Sequence, residues 1–282
     1  LTRFGETDHI DHGQAEGHRD APRLEEDPQR RRFELIKKPI FNLMTLLSLL
    51  GDEQCAVEGA GDPVAPLGVL ATRRGTHQVA ILIYNSRDKI TADGASPITL
   101  HVENLPFDHA SLAYYRIDET ADDPFAVWER AGAPEHPTPT QYAQMRSRQE
   151  LGTRSHAHDV TIDASKLTVS YSQPLPGVTL VLLTQRPDTE PRQVTHLRIE
   201  RYAGMTDQEA VLLLWDGLES RGLRTYEVYF APDEDGPYAR INPQDQLDTA
   251  FLHVRAPGSG VYAVRAVDYW KRYGEFSERV EG

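Results

Sequence analysis

Several side chains in this 282-residue chain are of types that do chemistry. His9, Asp11 and His12, with His18 close behind, offer imidazoles and a carboxylate, the donor types of a transition-metal site. Their spacing matches no standard ligand pattern, and a solvated loop is the favoured reading, with lining of a cleft as a second use. His156-Ala157-His158-Asp159 repeats the donor types and reads as a strand-flanking loop. Asp118-Glu119 suggests glycosidic hydrolysis, which needs an acid and a base or nucleophile roughly 5–9 Å apart. Adjacent strand residues point to opposite faces, so these two do not flank one bond, and a turn or capping role is expected.

The nucleophile candidates are weaker. Gly258-Ser259-Gly260 reads as a hairpin turn and lacks the pattern of a strained nucleophile elbow. Cys55 is the single cysteine, which excludes an intramolecular disulfide framework and a cysteine-based zinc cluster. No phosphate-binding glycine loop occurs. Tyr114, Tyr115, Tyr269, Trp270 and Tyr273 have faces that stack on sugars, but core or interdomain packing is the expected use. No catalytic, cofactor-binding or metal-binding residue is assigned, and no cofactor is expected.

The elements that would hold these residues follow from composition and periodicity. Hydrophobic residues make up 39%, enough to fill a core, and length suggests about two domains. The 30 basic and 43 acidic side chains give a net charge of −13, which argues against a general nucleic-acid binder. The longest apolar run, Ile40 to Leu50, is interrupted by Asn42, Thr45 and Ser48 and does not span a membrane. Residues 1–35 are polar and read as a long loop. Pro39 opens a helix over Ile40–Leu50, apolar around more than half its circumference, with Gly51 expected as a left-handed cap. From residue 67 the period becomes two. Short strands separated by turn residues continue to Leu183, interrupted by a helix opened by Thr138-Pro139-Thr140 and running from Gln141 to Glu150, and they predict an antiparallel sandwich. After the polar linker Arg186–Pro191, about seven strands in ninety residues predict a second sandwich of immunoglobulin or fibronectin type III form. Trp215 and Tyr262 fall where that fold keeps its core tryptophan and corner tyrosine.

A resemblance is carried by particular motifs. Tyr115-Arg116-Ile117-Asp118-Glu119-Thr120, Asp123-Pro124-Phe125-Ala126-Val127-Trp128 and Pro137–Tyr142 resemble the accessory sandwich of glycoside hydrolase family thirty-nine. Lys38-Pro39-Ile40-Phe41-Asn42 through Gly51-Asp52-Glu53 resembles the last helix of that family's (β/α)8 barrel, and Leu1-Thr2-Arg3-Phe4 its eighth strand. The family holds β-xylosidases and α-L-iduronidases. Gln193–Arg198, Leu213-Leu214-Trp215, Thr225–Val228 and Arg265-Ala266-Val267-Asp268-Tyr269-Trp270 are similar to the fibronectin-like domain of the iduronidase branch.

The resemblance implies a mainly β chain in three parts. Residues 1–52 are the last strand, loop and helix of a barrel, 53–188 an accessory β-sandwich, and 189–282 a fibronectin type III-like domain. It implies a retaining glycosidase that hydrolyses terminal α-L-iduronosyl bonds in glycosaminoglycans, with the N-terminal barrel of the same polypeptide as partner. The family's two catalytic glutamates lie on barrel strands that would precede Leu1, so this piece alone is expected to be inactive. His9, Asp11 and His12 would then sit in a loop bordering the cleft. A β-xylosidase and a non-catalytic glycan-binding module are the alternatives. Asn85 and Asn104 begin no Asn-x-Ser/Thr acceptor, and Cys55 has no disulfide partner. Animal iduronidases are lysosomal glycoproteins, so both absences suit a bacterial or otherwise non-lysosomal relative.

Overall fold

The computed structural model describes residues 36–59, 67–85, 94–202, 210–218, 221–254 and 259–282. The motif at Leu1–Phe4 and the candidates His9, Asp11 and His12 lie outside the described residues.

The chain is mainly β. Helix α1 (Pro39–Ser48) comes first, then β1 (Glu53–Gln54), β2 (Leu67–Arg74), β3 (Gln78–Asn85), β4 (Ala95–Val102) and β5 (His109–Ile117). Two short helices follow, α2 (Pro124–Arg130) and α3 (Pro139–Arg146), then β6 (Thr153–Thr161), β7 (Leu167–Pro174) and β8 (Gly177–Thr184). Six of these strands form one antiparallel sheet in the order β1-β2-β3-β8-β5-β6, while β4 and β7 pair separately. Unbroken apolar runs in β3 and β8 mark strands buried on both faces. Val79, Ile81, Ile83, Val181 and Leu183 face the core shared with Leu100, Val102, Leu105, Phe107 and Tyr171. Ala80, Leu82, Leu180 and Leu182 face the other way, toward Leu46 of α1 and Tyr269.

The second unit comprises β9 (Arg198–Tyr202), β10 (Ala210–Leu214), β11 (Leu223–Ala231), β12 (Ala239–Arg240), β13 (Ala250–Val254), β14 (Val261–Asp268) and β15 (Val280–Glu281). They make a three-stranded sheet, β13-β10-β9, and a four-stranded one, β12-β11-β14-β15. Val211 and Leu213 of one sheet and Tyr226, Val228, Tyr262 and Val264 of the other share a single core. Trp215 is buried there, edge-on to Tyr226 at 5.4 Å. The hydroxyl expected to cap a corner does so from another position. Tyr226 Oη accepts the Leu218 N–H at 2.9 Å, whereas Tyr262 Oη pairs with His253 Nδ1.

Three further expectations change. Gly51 is not a left-handed cap; the residue that caps the C-terminus of α1, Leu49, is right-handed. The end carbonyls are satisfied by side chains of the β2–β3 hairpin. Arg74 Nη2 donates to Leu50 O at 2.8 Å and Gln78 Nε2 to Leu49 O at 2.8 Å. Gly51 is needed because the chain passes directly over β2, where a Cβ would overlap the Arg73 carbonyl. His156 and His158 lie inside β6, not in a loop beside it. The strand is hidden in the sequence because it forms a sheet edge and most of its residues are exposed, so no apolar alternation marks it. The helix after Thr138 stops at Arg146, short of Glu150, although the Thr138–Gln141 capping box forms as its sequence suggests.

Gly51→Ala is expected to destabilise the N-terminal unit by about 1–3 kcal/mol through overpacking against β2. Urea unfolding followed by circular dichroism checks it, and an unchanged midpoint would contradict the close approach.

Candidate functional site

Among the described residues, no three His, Cys, Asp or Glu side chains converge as a metal site. Asp118 and Glu119 form a turn, as expected. Asp118 Oδ1 accepts from the Thr120 N–H at 2.7 Å and its hydroxyl at 2.6 Å, Arg116 pairs with the same carboxylate, and Glu119 is exposed. Cys55 donates its backbone N–H to Ala71 O and packs beside the first core. The features that bear on function are the two sides of α1 and the junction between the two units.

Helix α1 is apolar on both sides. Leu46 is fully buried on the six-stranded sheet, with Leu49 and Leu50 following. Ile40, Phe41, Met44 and Leu47 recur at helical spacing on the opposite side and are 40–61% exposed. Asn42, which interrupts the apolar run in the sequence, is fully buried. Its Nδ2 donates to Asp122 O at 3.0 Å and Gln149 O at 3.1 Å. Asp122 is itself held by the Gly152 N–H at 3.0 Å and by Arg154. Burial outweighs that guanidinium and pushes the Asp122 carboxyl up to about 6. Lys37, just before the helix, bonds to Glu150 at 3.1 Å and also to Asp248 of the second unit. Thr45 Oγ1 reaches Asp248 Oδ1 at 2.9 Å.

The junction is built on two tyrosines. Tyr115 of β5 and Tyr269, just after β14, are buried and joined hydroxyl to hydroxyl. Burial pushes the Tyr115 hydroxyl up to about 12 and that of Tyr269 well above its ordinary value, so both stay protonated and pair as neutral groups. Trp270 packs against the same cluster and against Gly222, where a Cβ would come within 2.8 Å of the indole. His158 Nδ1 lies 2.5 Å from Tyr269 O. A carbonyl only accepts, so this nitrogen carries the hydrogen. Gln244 Nε2 adds a bond to Ser147 O at 2.9 Å.

The aromatic candidates therefore divide. Tyr115, Tyr269 and Trp270 join the units. Tyr114 packs edge-on to Tyr171 inside the first sandwich, and Tyr273 lies under the Arg265 guanidinium at 4.1 Å. Trp128 donates to Pro134 O beside α2, and Trp215 belongs to the second core. Sequence reasoning missed Asn42, Lys37 and α2. Asp123-Pro124 was the available signal for α2, since Asp123 accepts from the Phe125 and Ala126 N–H groups.

Comparison with known proteins now defines the class. Residues 23–157 match the model of glycosyl hydrolases family 39, and residues 201–282 match that of the α-L-iduronidase C-terminal domain. The two matches together cover most of the chain, which is similar to the C-terminal part of α-L-iduronidase. It is 31% identical to the α-L-iduronidase of Canis lupus familiaris over 272 residues, 90% of this chain and 40% of that protein. The Homo sapiens enzyme gives 31% over 264 residues, 88% of this chain and 39% of that one. A solved structure of a bacterial orthologue of human α-L-iduronidase superposes with TM-score 0.77 at 31% identity, covering 89% of this chain and 44% of that one. The chain thus spans about 40% of the length of the curated relatives it matches.

Tyr115→Phe and Tyr269→Phe are each expected to cost about 1–3 kcal/mol, because each leaves a buried hydroxyl alone. The double variant is expected to cost less than the sum of the two. Equilibrium unfolding of the four proteins checks this; strict additivity would show that the hydroxyls do not depend on each other.

Proposed function

We propose that this chain is the C-terminal part of a retaining glycosidase of the α-L-iduronidase kind, cleaving terminal α-L-iduronosyl bonds of glycosaminoglycans. The observation that carries the proposal is the exposed stripe Ile40, Phe41, Met44 and Leu47 on a helix whose other side is already buried. A helix apolar on two sides needs two partners. The six-stranded sheet is one, and the second is the rest of a (β/α)8 barrel in the same polypeptide, of which α1 is the last helix. The chain's coverage of about 40% of its relatives supports this reading. Residues 53–188 are then the accessory sandwich. Residues 189–282 are a fibronectin type III-like domain, a reading supported by its seven strands in sheets of three and four.

In this reading the chemistry belongs to the barrel. One carboxylic acid protonates the leaving oxygen, and a second carboxylate forms and then releases a covalent glycosyl intermediate. The described residues hold the barrel's last helix against both sandwiches, and His9, Asp11 and His12 belong to the loop bordering the cleft.

The chain alone is expected to give no turnover of a fluorogenic α-L-iduronide, and the protein extended by its upstream reading frame is expected to hydrolyse it. Turnover by the isolated chain at enzyme-like rates would overturn the proposal. Met44→Lys, on the exposed stripe, is expected to change the chain's own stability by less than about 0.5 kcal/mol. In the extended protein the same substitution is expected to lower folded yield several-fold. Equal yields of the extended protein and its Met44→Lys variant would remove the barrel contact.

A further inference from the structure

The junction carries a pair of histidines that the proposed glycosidase chemistry does not use. His156 and His158 stand two residues apart on β6 and face Tyr269. Their rings are 4.3 Å apart and edge-on, and the His156 ring is 4.9 Å from that of Tyr269. His156 is half-buried and lies opposite Ala113, whose small side chain leaves room for the ring. Its Nε2 is buried with no hydrogen-bond partner. His158 is more exposed and holds the Tyr269 carbonyl.

The charges around His156 are of one sign. Arg224 of β11 and Lys271 after β14 approach from the second unit, and His158 from its own strand. The acidic groups of the junction are already engaged: Asp245 by Arg224 Nε at 2.9 Å, Asp268 by Arg272 at 2.7 Å, and Glu150 and Asp248 by Lys37. Tyr115 and Tyr269 supply hydroxyls that are bonded to each other. A neutral His156 suits this setting. A protonated one would carry an N–H with no acceptor and face three cations or potential cations.

We propose that the His156–His158 pair is an acid-sensitive latch on the junction between the two sandwiches. With His156 neutral, the second unit is held through Tyr269; protonation of His156 weakens that contact. Burial, His158, Arg224 and Lys271 push the docked imidazole down to about 4. In an opened junction the ring would return toward its ordinary value near 6.5. Between these values the open form binds the extra proton, so opening gains ground as pH falls through that window and levels off below it.

Amide hydrogen exchange over residues 153–161 and 268–271 of the full chain, corrected for intrinsic rates, tests the latch. Protection is expected to fall by about tenfold or more between pH 7 and pH 4.5. In His156→Gln, which cannot take the proton, protection is expected to stay level over that range. A loss of the same size in His156→Gln would overturn the proposal. Should that variant be unprotected at pH 7, the wild-type titration decides. The docked His156 ring, followed by NMR, must then titrate below its ordinary value, so that it is still neutral while protection is being lost. Constant protection while His156 becomes charged would also overturn it.

Discussion

A six-stranded sheet that is apolar on both faces has to be covered twice, and most of the described chain is arranged to do so. The β4–β7 ribbon and the loop residues Leu105 and Phe107 cover one face. The other is too broad for a single ten-residue helix, so α1 shares it with Leu151 and with Tyr269 and Trp270 from the second unit. At roughly 25 cal/mol per Å2 of apolar surface removed from water, leaving either face bare would cost more than the marginal stability of a domain. The second sandwich is therefore part of the first one's core.

This sharing explains where the polar groups sit. Polar side chains gather along the seam of α1, the sheet and the second unit. There Asn42, Asp122, Arg154, Lys37, Glu150 and Asp248 bond to one another or to backbone carbonyls. Buried polar groups are tolerable only when paired, and a paired group has a required geometry that an apolar contact lacks. The apolar sheet supplies the area, and the seam supplies the orientation.

Much of this was legible along the chain. The period-two runs gave β2, β3, β5, β8 and the later strands, and Pro39 and Thr138 marked helix starts that form. The motifs around Tyr115 and Arg265–Trp270 gave the family before any geometry was known, and these are the segments that meet at the junction. What stayed hidden depends on contacts distant in sequence. Gly51 looks like a cap because it follows a helix, and only the crossing over Arg73 shows its use. His156 and His158 look like loop residues because an edge strand needs no apolar alternation. The pairing of Tyr115 with Tyr269 spans 154 positions, and no local pattern announces it. The candidates His9, Asp11 and His12 depend on a segment outside the described residues.

Asn42 has a geometric consequence. Leu46 alone on a flat apolar surface would fix a helix's height above the sheet but leave its rotation about its own axis loosely set. The two hydrogen bonds from Asn42 fix that angle, since they reach Asp122 and Gln149 from one azimuth only. A turn of the helix by one residue, about 100°, would break both and swing a different set of side chains outward. The bearing of Ile40, Phe41, Met44 and Leu47 is thus indexed by the Asn42 amide together with the Thr45 hydroxyl, as a key indexes a shaft.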